Sequence, residues 1–323
     1  MRRALVIGDV IADVYRHCTL KKRCPEDPRA LALLPHWAET RAGGAANVAL
    51  NLAAMAPDAI VDLIGVVDRD LVRTIKRDGG GRVGVSHCVS DSPLRKERVL
   101  LDGKLVVRLD NASHVTHTAS SWVTDNLKEY LANHEPDIIL FSDYAGGSVD
   151  EVALRFLLER RERLVVDTKM TDLRVFGEGG KTLACKLNKG EWEAVIARDA
   201  RPEEHFATLI VTEGPAGAKG FFHRHAPGAH ICSTMAVPGH VIEAVDTNGC
   251  GDTFLAGFAA AMLYDRDQFG AMRIGNAAAA CAVSKRGTAI IGHEEALALL
   301  GNGNETKSRS DVGAGGCVPP GDL

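Results

Sequence analysis

Five short apolar runs, each closed by a glycine, an aspartate or a threonine, limit what this chain can fold into. They lie at 4–8, 60–65, 137–143, 164–167 and 209–212. A run that stays apolar on consecutive positions is buried on both faces, as strands of a parallel sheet are. Between the runs lie helical stretches at 45–56, 120–133, 148–163 and 189–198. Strands alternating with helices predict an α/β fold, a doubly wound and mainly parallel sheet flanked by helices. Such sheets bind ligands beyond the carboxyl ends of their strands, which is where this pattern puts Asp9, Asp143, Asp167 and Thr212.

Two segments break the alternation. Residues 94–110 are two β-rich runs joined by Asp102-Gly103, a strong hairpin signal. Residues 14–40 carry Pro25, Pro28 and Pro35, which rule out a long helix. Together they predict a small inserted β flap, from about 14–42 and 88–112, placed to act as a lid over a site. Helices are expected at 252–264, 268–285 and 294–300. The chain thus reads as one domain over 1–300, followed by a disordered tail over 301–323 that has almost nothing to bury.

Composition excludes several classes. Lys+Arg 38 against Asp+Glu 42 gives a net charge of −4, and aromatics are 5%, so there is neither a basic field nor a stacking platform for nucleic acid. Eight cysteines without a Cys-x-x-Cys pair argue against zinc or a disulfide framework and for a reducing compartment. No run suits a secretory leader or a membrane span, so the expected location is the cytoplasm, without a membrane partner.

The most informative stretch is Asp246-Thr247-Asn248-Gly249-Cys250-Gly251-Asp252, followed at once by an Ala-rich helix. Glycines at a helix start leave backbone N–H groups uncovered where the positive end of the dipole points, which makes an anion site. Asp252 stands in the first turn. Helix capping alone accounts for an isolated aspartate there. An anion cradle beside a carboxylate also supplies what phosphoryl transfer needs, donors for the transferred group and a base for the attacking hydroxyl. Neither the Gly-x-x-x-x-Gly-Lys-Ser/Thr nor the Gly-x-Gly-x-x-Gly phosphate fingerprint occurs where P-loop enzymes or dinucleotide-binding dehydrogenases need it.

This stretch resembles the late Asp-Thr-x-Gly-Ala-Gly-Asp signature of the ribokinase-like (PfkB) carbohydrate kinases, with Cys250 in place of Ala. Gly43-Gly44-Ala45-Ala46-Asn47 resembles the family's early Gly-Gly-x-x-x-Asn, and Asn188-Lys189-Gly190-Glu191 its Asn-x-x-Glu. Within the family the chain is most similar to the heptose-phosphate kinase branch of ADP-heptose synthesis. That likeness is carried by Gly8-Asp9 through Tyr15, Arg23 through Pro28, Ser142-Asp143-Tyr144, Asp167-Thr168-Lys169 and Lys285-Arg286-Gly287-Thr288-Ala289.

The resemblance implies an ATP-dependent kinase acting on the anomeric hydroxyl of D-glycero-D-manno-heptose 7-phosphate. It implies Asp252 as base, with Gly249, Cys250 and Gly251 as anion hole. Asp13, Gly43, Gly44 and Asn47 match sugar contacts. Asn188 and Glu191 match the motif that orders Mg²⁺ through water, and Thr212, Gly214, Asn188 and Asn276 border the nucleotide. A monovalent cation is expected near Asp246 and a homodimer through the flap. In many relatives the kinase is fused to a nucleotidyltransferase. Nothing after residue 300 reads as one, so a separate protein is expected for that step.

Lys96, Arg98 and Arg108 on the hairpin, with Lys169 at a strand end, are candidates for the substrate's own phosphate, and Asp143 is expected among the substrate-binding residues. Charge protecting an edge strand is the plainer reading of the hairpin. Three departures from the family stand out. Cys250 places a thiol at a helix start, where its pKa is expected to fall and its reactivity to rise. Glu213 replaces an Arg common in this branch, and Val67-Asp68-Arg69-Asp70-Leu71 replaces Gly-x-Asp-x-x-Gly. The rivals are a PfkB kinase for another sugar, sugar phosphate or nucleoside, and a catalytically weak ligand-binding member of the family.

Overall fold

The computed structural model describes residues 1–302 except 28, 68, 91–92, 112–113 and 227–228. The chain opens with β1 (Arg3–Gly8), β2 (Val10–Arg23), β3 (Leu31–Gly44), α1 (Ala45–Met55), β4 (Ile60–Val67), α2 (Arg69–Asp78) and β5 (Val83–Val89). The hairpin follows as β6 (Leu94–Leu101) and β7 (Lys104–Asp110), then α3 (His117–Asn133), β8 (Ile138–Ser142), α4 (Glu151–Leu158) and β9 (Leu164–Asp167). Next come β10 (Thr182–Asn188), α5 (Lys189–Ile196), β11 (Phe206–Thr212), β12 (Gly217–Ala226) and β13 (Ala229–Pro238). Helices α6 (Cys250–Leu263), α7 (Gln268–Val283) and α8 (His293–Asn302) close the described chain.

Nine strands make one sheet in the order β13-β12-β11-β10-β9-β8-β1-β4-β5. All its pairings are parallel except those of β12 with β11 and with β13. In β1 successive side chains serve opposite layers, as strand geometry requires. Ala4 and Val6 pack with α1, α2, α6, α7 and α8, while Leu5 and Ile7 pack with α3, α4 and α5. The five expected strands are all present. The helix expected over 148–163 ends at Leu158 and gives way to a 3₁₀ turn at Arg161–Arg163.

A second, four-stranded sheet has the order β3-β2-β6-β7. Asp102 and Gly103 take φ of 49° and 79°, the paired left-handed conformation of a tight hairpin turn. Pro35 is accommodated where the β2–β3 register shifts, at a bulge between His17 and Cys18. Helix α8 runs through Asn302, two residues into the segment expected as tail. The rest of that segment, 303–323, lies outside the described residues. Asp68, in one of the three departures, is outside them as well. Among the described residues no helix is long and apolar enough to cross a membrane.

Candidate active site

The parallel register sets Gly8, Ser142, Asp167 and Lys186 side by side at the carboxyl edge of the sheet. The start of α6 lies over this row. Gly249 caps α6 with φ 77°, a conformation L side chains rarely adopt. A Cβ on Gly249 would lie 2.6 Å from Asn47 Nδ2, and one on Gly251 would lie 2.9 Å from Lys186 Nζ. Both glycines therefore let working side chains approach the helix start. The first N–H groups of a helix have no intrahelical acceptor, and the Cys250 N–H here makes only a long bond of 3.4 Å to the Thr247 carbonyl.

Asp252 is buried in the first turn of α6. Its Oδ2 accepts from Asn47 Nδ2 at 3.0 Å and its Oδ1 from the Tyr144 hydroxyl at 2.6 Å. Burial lifts its pKa to about 6, against the pull of those two hydrogen bonds. A carboxyl poised there is ionised at pH 7 and more basic than an ordinary aspartate, as a general base must be. Asn47 is held by Asn51, whose Nδ2 donates to the Asn47 carbonyl and side-chain oxygens, each at 3.0 Å.

Below the cradle, Lys186 and Asp167 form a buried pair at 2.6 Å. Burial works against the Lys186 charge, but Asp167 more than offsets it and raises the pKa. The sequence pattern placed Asp167 at the ligand edge of the sheet but gave Lys186 no role. A charged residue within an apolar strand was the available signal. Cys250 departs from expectation: burial, then the Asp246 and Asp252 carboxylates, push its thiol up to about 12. The thiol is thus held protonated at neutral pH, against the expected fall.

On the flap side, Asp13 and Arg98 pair at 2.5 Å with both side chains buried. Burial lifts the Asp13 carboxyl, with Arg98 pulling it back down. A Cβ on Gly43 would collide with Asp13 Oδ2, so this carboxylate has its place only because residue 43 is glycine. Gly44 caps α1, and the Ala45 N–H donates to the Asp9 carbonyl beside it. Arg98 also donates to Asn248 Oδ1 at 2.9 Å, which ties the flap to the cradle loop. Arg108 sits opposite Arg98 in the hairpin register, yet it is solvent-exposed and paired with Asp110.

Lys96 Nζ lies 4.7 Å from the Tyr144 ring centroid and Lys169 Nζ 5.2 Å from it. Lys169 also pairs with Glu191. The buried Asp9 accepts from the backbone N–H groups of Tyr144, Gly146 and Ser148, and so spends its carboxylate on the loop that presents Tyr144. Asp143 accepts from the Thr168 hydroxyl at 2.5 Å and the Ala145 N–H at 2.8 Å, a loop-holding arrangement rather than an open ligand.

The expected nucleotide residues gather at another corner. Asn188 and Thr212 are register partners at the ends of β10 and β11, with Gly214 in the turn that follows. Asn276 of α7 donates to the Pro238 carbonyl at the end of β13, the strand position paired with Gly217. Asn188 and Glu191 form a reciprocal capping box on α5. The Asn188 side-chain oxygen and both Glu191 oxygens are engaged within the box and by Lys169, and among the described residues no three acidic, His or Cys groups converge, so Mg²⁺ would be held there only through its waters. The monovalent-cation expectation fits less well. Asp246 already accepts from Asn248 N, Asn248 Nδ2 and Gly287 N, at 3.0, 2.7 and 2.9 Å, and does not present an open carboxylate.

A buried carboxylate, a glycine-rich helix start and a sheet edge that holds Asn188 and Thr212 are the parts that a phosphotransferase with an alcohol acceptor requires. A model of the pfkB family carbohydrate kinases matches residues 183–295. The bifunctional protein HldE of Methylococcus capsulatus is 30% identical over 330 residues, spanning 97% of this chain and 66% of that protein. HldE of Granulibacter bethesdensis is 30% identical over 335 residues, spanning 95% and 68%. The chain thus spans about two thirds of the length of these relatives. Phosphofructokinase-2 from Escherichia coli in complex with potassium superposes with a TM-score of 0.70 at 16% identity, covering 93% of this chain and 98% of that one. Ribokinase from Thermotoga maritima gives 0.69 at 17%, covering 94% and 100%. The fold is ribokinase-like. The chain belongs to the PfkB family of carbohydrate kinases, which use ATP with a divalent metal.

Proposed function

We propose that this chain transfers the γ-phosphoryl group of ATP to the anomeric hydroxyl of D-glycero-D-manno-heptose 7-phosphate, giving the 1,7-bisphosphate. The observation that carries this reading is the pair of ammonium groups, Lys96 and Lys169, beside the Tyr144 ring whose hydroxyl holds the base. Two cations next to the reacting centre favour a sugar that already bears an anionic group. The resemblance of the opening Gly8–Tyr15 segment and of Ser142-Asp143-Tyr144 to the heptose-phosphate kinases points the same way.

Asp252 takes the proton of the attacking hydroxyl as its oxygen bonds to the γ-phosphorus and the bond from that phosphorus to the β,γ-bridging oxygen breaks, so that ADP leaves with the electron pair. The N–H groups at Gly249–Gly251 hold the developing charge; donors of this kind are worth about 10²–10³ in rate each. Asp13 and Asn47 orient the sugar, and the flap excludes water. Asn188 and Glu191 would hold Mg²⁺ through water, and the ion would supply neutralisation of phosphate charge. The exposed, unpaired edge of β7, with Leu105 and Leu109 outward, supports a homodimer formed flap to flap. Asp252→Asn is expected to lower kcat by about 10²–10⁴-fold with the fold retained. Near-normal sugar-dependent ADP release from that variant contradicts the assignment.

A further inference from the structure

We propose that Tyr144 is a positioning residue that fixes the Asp252 carboxylate and keeps it ionised at neutral pH. The inference deepens the reading of Asp252 as the base and rests on it. The hydroxyl-to-carboxylate distance of 2.6 Å is that of a charge-assisted hydrogen bond. With Asn47 on the other oxygen, the carboxylate is gripped at both ends and its plane is set.

A half-buried tyrosine hydroxyl needs some acceptor, and a carboxylate would serve for packing alone. Two features go further. Asp9 is buried and satisfies three backbone N–H groups of the 144–148 loop, so the presentation of Tyr144 is itself built. The phenol also stays a donor, because burial and then the Asp252 charge hold its pKa well above the ordinary value.

Asp252 is faced by Asp167 from β9, Lys186 from β10 and Lys96 from β6, with Cys250 on its own helix and Asp13 acting on Tyr144 from β2. Asp167 and Lys186 largely cancel as a pair. Of these groups, Tyr144 is the one that bonds the carboxylate directly. A donor to the ionised form lowers a carboxyl pKa, so its loss raises it.

The test is the pH profile of kcat/KM for Tyr144→Phe, which keeps the ring and removes the donor. The acid limb is expected to move about one to two pH units upward from its wild-type position. An unmoved limb with a uniform loss of rate overturns the proposal. A second measurement needs neither substrate nor turnover. In the unliganded wild-type protein, near-UV tyrosine absorption should change as the pH crosses about 6, and Asp252→Asn should abolish that change. A response identical in both proteins overturns the proposal. A wild-type protein with this spectral response but no sugar-dependent ADP release contradicts the kinase reading alone.

Discussion

Arg98 and Arg108 face each other across the β6–β7 hairpin, yet their surroundings give them different work. The Arg98 side chain is 7% exposed and bonded to Asp13 and Asn248, whereas that of Arg108 is 54% exposed and tied to its neighbour Asp110. Removing one partner of a buried ion pair strands the other charge. Arg98→Ala should therefore cost about 3–5 kcal/mol of stability. Arg108→Ala should cost no more than about 1 kcal/mol. Chemical denaturation of the two variants checks this, and equal losses would contradict it. Alternation along the hairpin put both residues on one face but carried nothing about depth. For the same reason Tyr144 and Lys186 passed without a role, since burial beside a carboxylate is a three-dimensional fact. Asp252, Asn47 and the glycines could be read because each sits in a motif whose spacing follows from local backbone geometry.

At the scale of elements, strands with an unbroken apolar run were readable and strands with a mixed pattern were not. β10 was missed because Lys186 interrupts it, and its burial depends on Asp167 from the adjacent strand. The antiparallel pair β12 and β13 lacks the buried-run signature of the parallel strands. The hairpin was read correctly from Asp102-Gly103, whose positive φ values set the turn. Its outer strand β7 is exposed throughout, with Leu105 and Leu109 each 57% exposed on an unpaired edge. Natural edges are usually blunted by charge, and the leucines that β7 leaves outward beside Lys104, Arg108 and Asp110 are the surface the proposed homodimer would cover. The homodimer reading predicts a dimer by light scattering. It also predicts that Leu105→Lys with Leu109→Lys gives a folded monomer. A wild-type protein that is monomeric at micromolar concentration contradicts it.

Over the whole molecule, the doubly wound sheet gathers distant parts of the chain along one edge. Strand ends from β1, β8, β9, β10 and β11 line up there, the flap meets the cradle through Arg98 and Asn248, and α6 brings its amino end to the centre. A net charge of −4 conceals this local arrangement, in which Lys96 and Lys169 flank the ring of the tyrosine that bonds Asp252. On the proposed reading, substrate choice follows from those two ammonium groups. The most direct test is ADP release by the wild-type protein with ATP, Mg²⁺ and a panel of acceptors, comparing D-glycero-D-manno-heptose 7-phosphate with hexose phosphates, unphosphorylated sugars and nucleosides. The account predicts the highest kcat/KM for the heptose phosphate. A preference for an unphosphorylated sugar or a nucleoside, or no sugar-dependent turnover at all, would contradict it.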